Sequence, residues 1–207
     1  MRRFDRATRR SALIVAVLLL ALFAAAALVA RNDTVTALDH GARALVRDDP
    51  ALPLFRPMRM IGRLVSGYVL LAIALLCSVI LWRRGHRAVA LALPLAGLAA
   101  VIALGLMKWI INKPRPSLRG YGFPSGHVFG VTVFVMLAVY LLWRFDLPRR
   151  WQWTARAAGV AIVVLVGYSR LYVNAHWFSD VVGGLLVGLA FAIAAMLVID
   201  RHPRPPG

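Results

Sequence analysis

Two histidines, one aspartate and several cations fall in three short polar islands between long apolar runs of this 207-residue chain. The first island reads Lys108-Trp-Ile-Ile-Asn-Lys-Pro-Arg115-Pro116. Lys108 and Arg115 are seven residues apart, two helical turns, which would put both on one side of a helix. Pro114 and Pro116 then stop that helix and stiffen its exit. The second island reads Tyr121-Gly-Phe-Pro-Ser-Gly-His127. Pro124 and Gly126 break a continuous helix, and Ser125 suits the N-cap of the run that follows. Free backbone N–H groups, a hydroxyl and an imidazole then meet at a helix mouth, where anions bind. In the third, Ser169 to Asp180, His176 and Asp180 are four residues apart and meet if the turn is helical. An Asp that accepts from one imidazole nitrogen fixes the tautomer and leaves the other nitrogen nucleophilic.

Each island alone has a plainer reading. Lys108 can snorkel or pair with a helix C-terminus. Ser125 can simply cap a helix beside an incidental histidine, and His176–Asp180 can be a structural pair. Together they offer three cations (Lys108, Arg115, Arg170), two histidines, one Asp and a helix N-terminus. Cations and backbone donors suit a dianionic tetrahedral group such as phosphate. One histidine can attack and the other can protonate the leaving group.

The surrounding chain is built to place such a site in a membrane. It is 61% hydrophobic with mean hydropathy +0.74, well above a soluble domain, and the excess comes in blocks. Net charge is +17, and every acid is Asp. The cations lie in short loops between apolar runs, which fits membrane topology and anionic headgroups better than nucleic acid. The lone Cys77 sits in an apolar run, so neither an internal disulfide nor a cysteine metal cluster is available.

Six runs predict an all-α, polytopic bundle: Ser11–Ala30, Ile61–Trp82, Ala88–Ile111, Val128–Trp143, Ala157–Tyr168 with its flanks, and Val181–Ile199. The fifth is the shortest, bracketed by Arg156 and Ser169-Arg170. Ser11–Ala30 exceeds the usual signal-peptide core of about 7–15 residues and reads as a retained helix. Between Arg31 and Arg59, Leu38, Ala42, Leu45 and Val46 recur opposite Arg43 and Arg47. They predict a short amphipathic helix, on the membrane surface or packed on the bundle, ended by Pro50, Pro53 and Pro57. With the N-terminus inside, fourteen of the 25 Lys and Arg lie on the inner side. Both termini are then cytoplasmic, and all three islands share the outer face. The chain reads as one domain, 1–207, with its chemistry within 108–180.

The islands spell Lys-x6-Arg-Pro, Pro-Ser-Gly-His and Ser-Arg-x5-His-x3-Asp in that order. In this the chain resembles the type 2 phosphatidic acid phosphatase superfamily, which also holds vanadium haloperoxidases and glucose-6-phosphatase. The resemblance implies a bacterial inner-membrane lipid phosphatase with its site facing outward. It implies that Lys108, Arg115 and Arg170 bind the phosphoryl group, helped by Ser125 and the Gly126 backbone. His176 would attack phosphorus, Asp180 would orient it, and His127 would protonate the leaving oxygen and then activate water. No metal or other cofactor is implied. The sequence itself agrees, since Asp146 and Asp180 are the only acids between Lys108 and Asp180. The partners implied are a lipid phosphate, such as undecaprenyl diphosphate or a phosphatidyl phosphate, and membrane lipids. A lipid tail would enter laterally between helices. Phosphotransfer to an alcohol, or lipid-phosphate binding or transport without catalysis, are the alternatives. The hydropathy disfavours a haloperoxidase.

Overall fold

The computed structural model describes residues 2–32, 35–46, 53–116 and 120–201. Eight helices order the chain: α1 (Arg6–Asn32), α2 (Ala37–Leu45), α3 (Phe55–Leu64), α4 (Gly67–Arg83), α5 (Arg87–Ile111), α6 (Gly126–Arg144), α7 (Arg149–Tyr172) and α8 (Phe178–Arg201). Six segments are long and apolar enough to cross a membrane, with α3 and α4 forming one of them. A 24-residue helix such as α8 is roughly 36 Å long, more than the ~30 Å hydrocarbon core. This is an integral, multi-pass membrane bundle. Its large exposed hydrophobic side chains are mostly leucines, valines and isoleucines, as a lipid-facing surface requires, with aromatics such as Tyr68, Trp109 and Trp153 among them.

α8 is the central element and packs most extensively on α6 and α1. Between α5, α6 and α8 lies the main core, with Leu93, Phe129, Val133, Leu137, Val187 and Met196. α6 and α8 approach so closely that a Cβ on Gly184 would stand 2.7 Å from the Ser125 carbonyl oxygen. The absence of a side chain there lets the start of α6 lie against the start of α8, and Ser125 N–H donates to the Asp180 carbonyl at 2.9 Å.

Three sequence expectations need correction. The run from Ile61 to Trp82 is not one helix: α3 ends at Leu64, and Ser66 is extended with φ −63° and ψ 154° before α4 begins. Pro57 does not end a helix but sits in the first turn of α3, where its missing N–H costs no helical bond. Pro53 lies in the turn before α3; Arg47 and Pro50 fall outside the described residues. Lys108 and Arg115 do not share a helix face. Asn112 adopts a left-handed conformation, φ 55°, and ends α5 one residue before Lys113.

The shortest predicted span becomes α7, a full helix of 24 residues. The amphipathic helix is present as α2, with a capping box between Thr36 and Asp39.

Candidate active site

The three islands meet at one end of the bundle. Pro114 and Tyr121 pair as an isolated bridge, and the Trp177 indole N–H donates to the Pro114 carbonyl at 3.1 Å. Lys108 Nζ donates to the carbonyls of Tyr121 and Gly122 at 3.0 and 3.1 Å. Arg115 Nε reaches the same Tyr121 carbonyl at 3.1 Å. The two cations therefore converge through the second island rather than along a helix.

His176 lies in the turn before α8 and is buried. Its Nδ1 is 3.1 Å from Asp180 Oδ2, which also accepts the Trp177 N–H at 3.1 Å. Those bonds fix the ring and leave Nε2 for chemistry. Asp180 is fully buried in the first turn of α8, where the helix N-terminus favours a carboxylate. Its Oδ1 accepts no hydrogen bond among the described residues. Burial pushes the His176 imidazole below its usual range, against the opposing pull of Asp180; Arg115 and Lys108 push the same way as burial. Burial thus favours the neutral ring.

Ser125 occupies the N-cap position of α6, but its side chain makes no capping bond. Its hydroxyl is buried without a partner among the described residues. Gly126 opens α6, and its N–H belongs to the first turn that helix geometry leaves unsatisfied. His127, next along, hydrogen-bonds the Gly62 backbone and lies in electrostatic range of Arg170, His176 and Arg115. Arg170, buried near the end of α7, donates to the Ser169 hydroxyl at 3.2 Å and to the Met58 carbonyl at 3.1 Å. All eight residues singled out in the sequence thus lie in or beside one cluster.

Four further residues of the cluster stand outside the signature positions of the motifs. Met58 and Gly62 of α3 face Arg170, and a Cβ on Gly62 would come within 2.1 Å of the guanidinium. Asp39 of α2 and Lys113 form a fully buried ion pair at 2.9 Å beside Asp180. Lys113 lies inside the first island, but its spacing does not mark it as buried. The others are 74 to 140 residues from their partners, beyond any sequence period.

This arrangement defines a membrane helical bundle in which three cations and an Asp-paired histidine converge at one end. Residues 87–204 match the PAP2 superfamily, and the chain belongs to it. An undecaprenyl-diphosphatase of Sulfolobus acidocaldarius is 35% identical over 91 residues, 44% of this chain and 39% of that protein. Phosphatidylglycerophosphatase B of Bacillus subtilis is 35% identical over 92 residues, 41% of this chain and 44% of that protein. The matches to these two thus span less than half of either relative. The crystal structure of a transmembrane PAP2 type phosphatidylglycerolphosphate phosphatase from Bacillus subtilis shares the fold. Its TM-score is 0.77 at 23% identity, covering 87% of this chain and 93% of that one.

Proposed function

We propose that this protein is a membrane lipid phosphatase that cleaves a lipid phosphomonoester or diphosphate through a phosphohistidine. The observation that carries this reading is the His176 Nδ1–Asp180 Oδ2 contact at 3.1 Å, beside three cations and a helix N-terminus. His176 Nε2 attacks phosphorus, the P–O bond to the lipid breaks, and His127 gives its proton to the leaving oxygen. His127 then takes a proton from water, which attacks phosphorus and releases phosphate and neutral His176. Lys108, Arg115 and Arg170 balance the charge that builds on the equatorial oxygens, with Ser125 and the Gly126 N–H completing the cradle. Arg170 exchanges the Met58 carbonyl for phosphate when substrate enters.

The names of the relatives favour undecaprenyl diphosphate or a phosphatidyl phosphate as substrate. We place the site on the outer face of a bacterial inner membrane with both termini cytoplasmic. The arginine distribution supports this, and so does the contact between the chain's start and the end of α8, opposite the site. Phosphate release by purified protein against a panel of lipid mono- and diphosphates tests the reading. Release with at least one lipid, lost in His176→Ala, is expected; full activity in that variant would refute the nucleophile.

A further inference from the structure

Helix α2 reaches the site through one buried charge network. Asp39 is 1% exposed, although Leu38 and Leu45 on the same helix are 72% and 87% exposed. The face that α2 turns inward is thus selected by its acid. Asp39 Oδ1 accepts the Ser179 N–H at 2.8 Å, and Oδ2 accepts the Ser179 hydroxyl and Lys113 Nζ, each at 2.9 Å. Ser179 N–H belongs to the first turn of α8, so a carboxylate from another helix caps α8. Burial disfavours the Asp39 charge, but Ser179, Lys113 and Thr36 together hold its carboxyl below the usual range. It is therefore an anion in need of a cation. Lys113 supplies one, is 0% exposed, and also hydrogen-bonds the Ser179 hydroxyl.

The same ammonium lies 3.8 Å from Asp180 Oδ1, the oxygen that no hydrogen bond occupies. One cation is thus divided between two carboxylates, and Asp180 is the one that holds His176. A buried lysine is costly unless paired, and the phosphoryl mechanism has no use for Lys113. We propose that Lys113 is a positioning residue. Clamped by Asp39 and Ser179, it holds the free oxygen of Asp180 and shares that carboxylate's charge, so setting how strongly Asp180 draws a proton onto His176. Too strong a pull makes His176 an imidazolium that cannot attack; too weak a pull frees the ring to turn.

The other charged and titratable groups around His176 come from every packed element. They are Lys108 of α5, Arg115 after it, His127 of α6 and Asp180 of α8. Arg170 of α7 acts on the neighbouring His127; from α2, His40 packs its ring on Trp177 and the Arg43 guanidinium lies over the same indole, 5.6 Å from its centroid. None of these changes in the variants that test the proposal, so a shift in the His176 titration reports on Lys113.

The proposal rests on His176 as nucleophile, and the test separates the two. The acid limb of kcat/KM is measured by phosphate release from the purified full chain, together with histidine-selective NMR titration of His176. Lys113→Met restores the full pull of Asp180, so the limb moves to higher pH by about one unit, and kcat falls about tenfold. Asp39→Asn leaves Lys113 to Asp180 alone, so the limb moves down. Lys113→Arg keeps the charge and returns the limb towards wild type. Opposite shifts in the two neutralising variants support the proposal, since a merely structural role moves neither. Limbs that coincide with wild type overturn it. Where Lys113→Met does not fold, Asp39→Asn decides alone: a limb that moves down supports the role, and an unmoved one overturns it. An active His176→Ala would instead refute the nucleophile, whereas an inactive His176→Ala with unmoved limbs removes the Lys113 role alone.

Discussion

α8 carries a fully buried aspartate near each end, Asp180 and Asp200, and the two are used differently. Asp200 is saturated. Its Oδ2 takes Arg9 at 2.7 Å, its Oδ1 takes Arg144 at 3.2 Å and the Tyr140 hydroxyl at 3.3 Å, and both oxygens lie 3.3 Å from the Phe4 N–H. That network ties α1, α6 and α8 together where the chain begins and α8 ends. Arg2 extends it, donating its N–H to the Arg144 carbonyl at 2.7 Å and pairing with Asp146. Asp180 accepts hydrogen bonds through one oxygen only, from His176 and the Trp177 N–H, while Lys113 Nζ lies 3.8 Å from the other. The Ser125 hydroxyl, without a partner among the described residues, and the first-turn N–H groups of α6 remain available in the same place. Arg9 Nε at the Asp200 end also lacks a partner among the described residues, but its guanidinium is already tied to Asp200, whereas the Ser125 hydroxyl lies at a helix mouth, where an anion is expected. The Asp200 end resembles a fastening; the Asp180 end resembles a site held open.

The sharpest way to break this contrast is to make the same change at both ends. Asp180→Asn should lower turnover by about 10³–10⁴-fold, because an amide leaves the His176 tautomer unset, with the helical bundle intact by circular dichroism. Asp200→Asn should do the reverse. It leaves two arginines short of a charge and lowers stability by about 3–5 kcal/mol, read as a thermal shift, while the folded fraction keeps its turnover. If Asp200→Asn lost turnover with stability unchanged, the contrast would collapse.

A smaller effect is expected from Lys108→Met or Arg170→Ala. Each removes one donor from the developing phosphoryl charge and should cost about 10²–10³-fold in kcat, measured by phosphate release at saturating lipid. Gly62→Ala adds a methyl where the Arg170 guanidinium lies, with the Cβ within 2.1 Å. Displacement of that group by about 1 Å should cost on the order of 10²-fold, and an unaffected enzyme would show that α3 does not place Arg170. The mildest test is pH. Burial lowers the His176 imidazole below 6.5, so as pH falls through 6.5 the nucleophile is still neutral. The acid limb of kcat/KM should therefore lie below pH 6.5, and a limb above it would mean that Asp180 dominates burial.

Much of the bundle was legible because a membrane asks for long uninterrupted apolar runs, and this chain supplies them. The convergence of the islands was legible too, since parity of the spans puts them on one side. The path by which Lys108 and Arg115 converge was not. Helical spacing assumed a helix through Asn112, and a left-handed residue ended it there. The Asp39–Lys113 pair was illegible for a different reason. Helical periodicity reports apolar faces, and α2 turns its acid inward while its leucines face out. Gly62 and Met58 act through backbone atoms, which side-chain patterns do not record.

Covalent catalysis at His176 requires a phosphoryl group on its ring nitrogen. Rapid quenching of purified protein during turnover of a ³²P-labelled lipid phosphate, followed by peptide mapping, tests it most directly. An acid-labile, alkali-stable label is expected on the peptide carrying His176, absent from His176→Ala. Turnover without any protein-bound label, or a label that survives in His176→Ala, would contradict it.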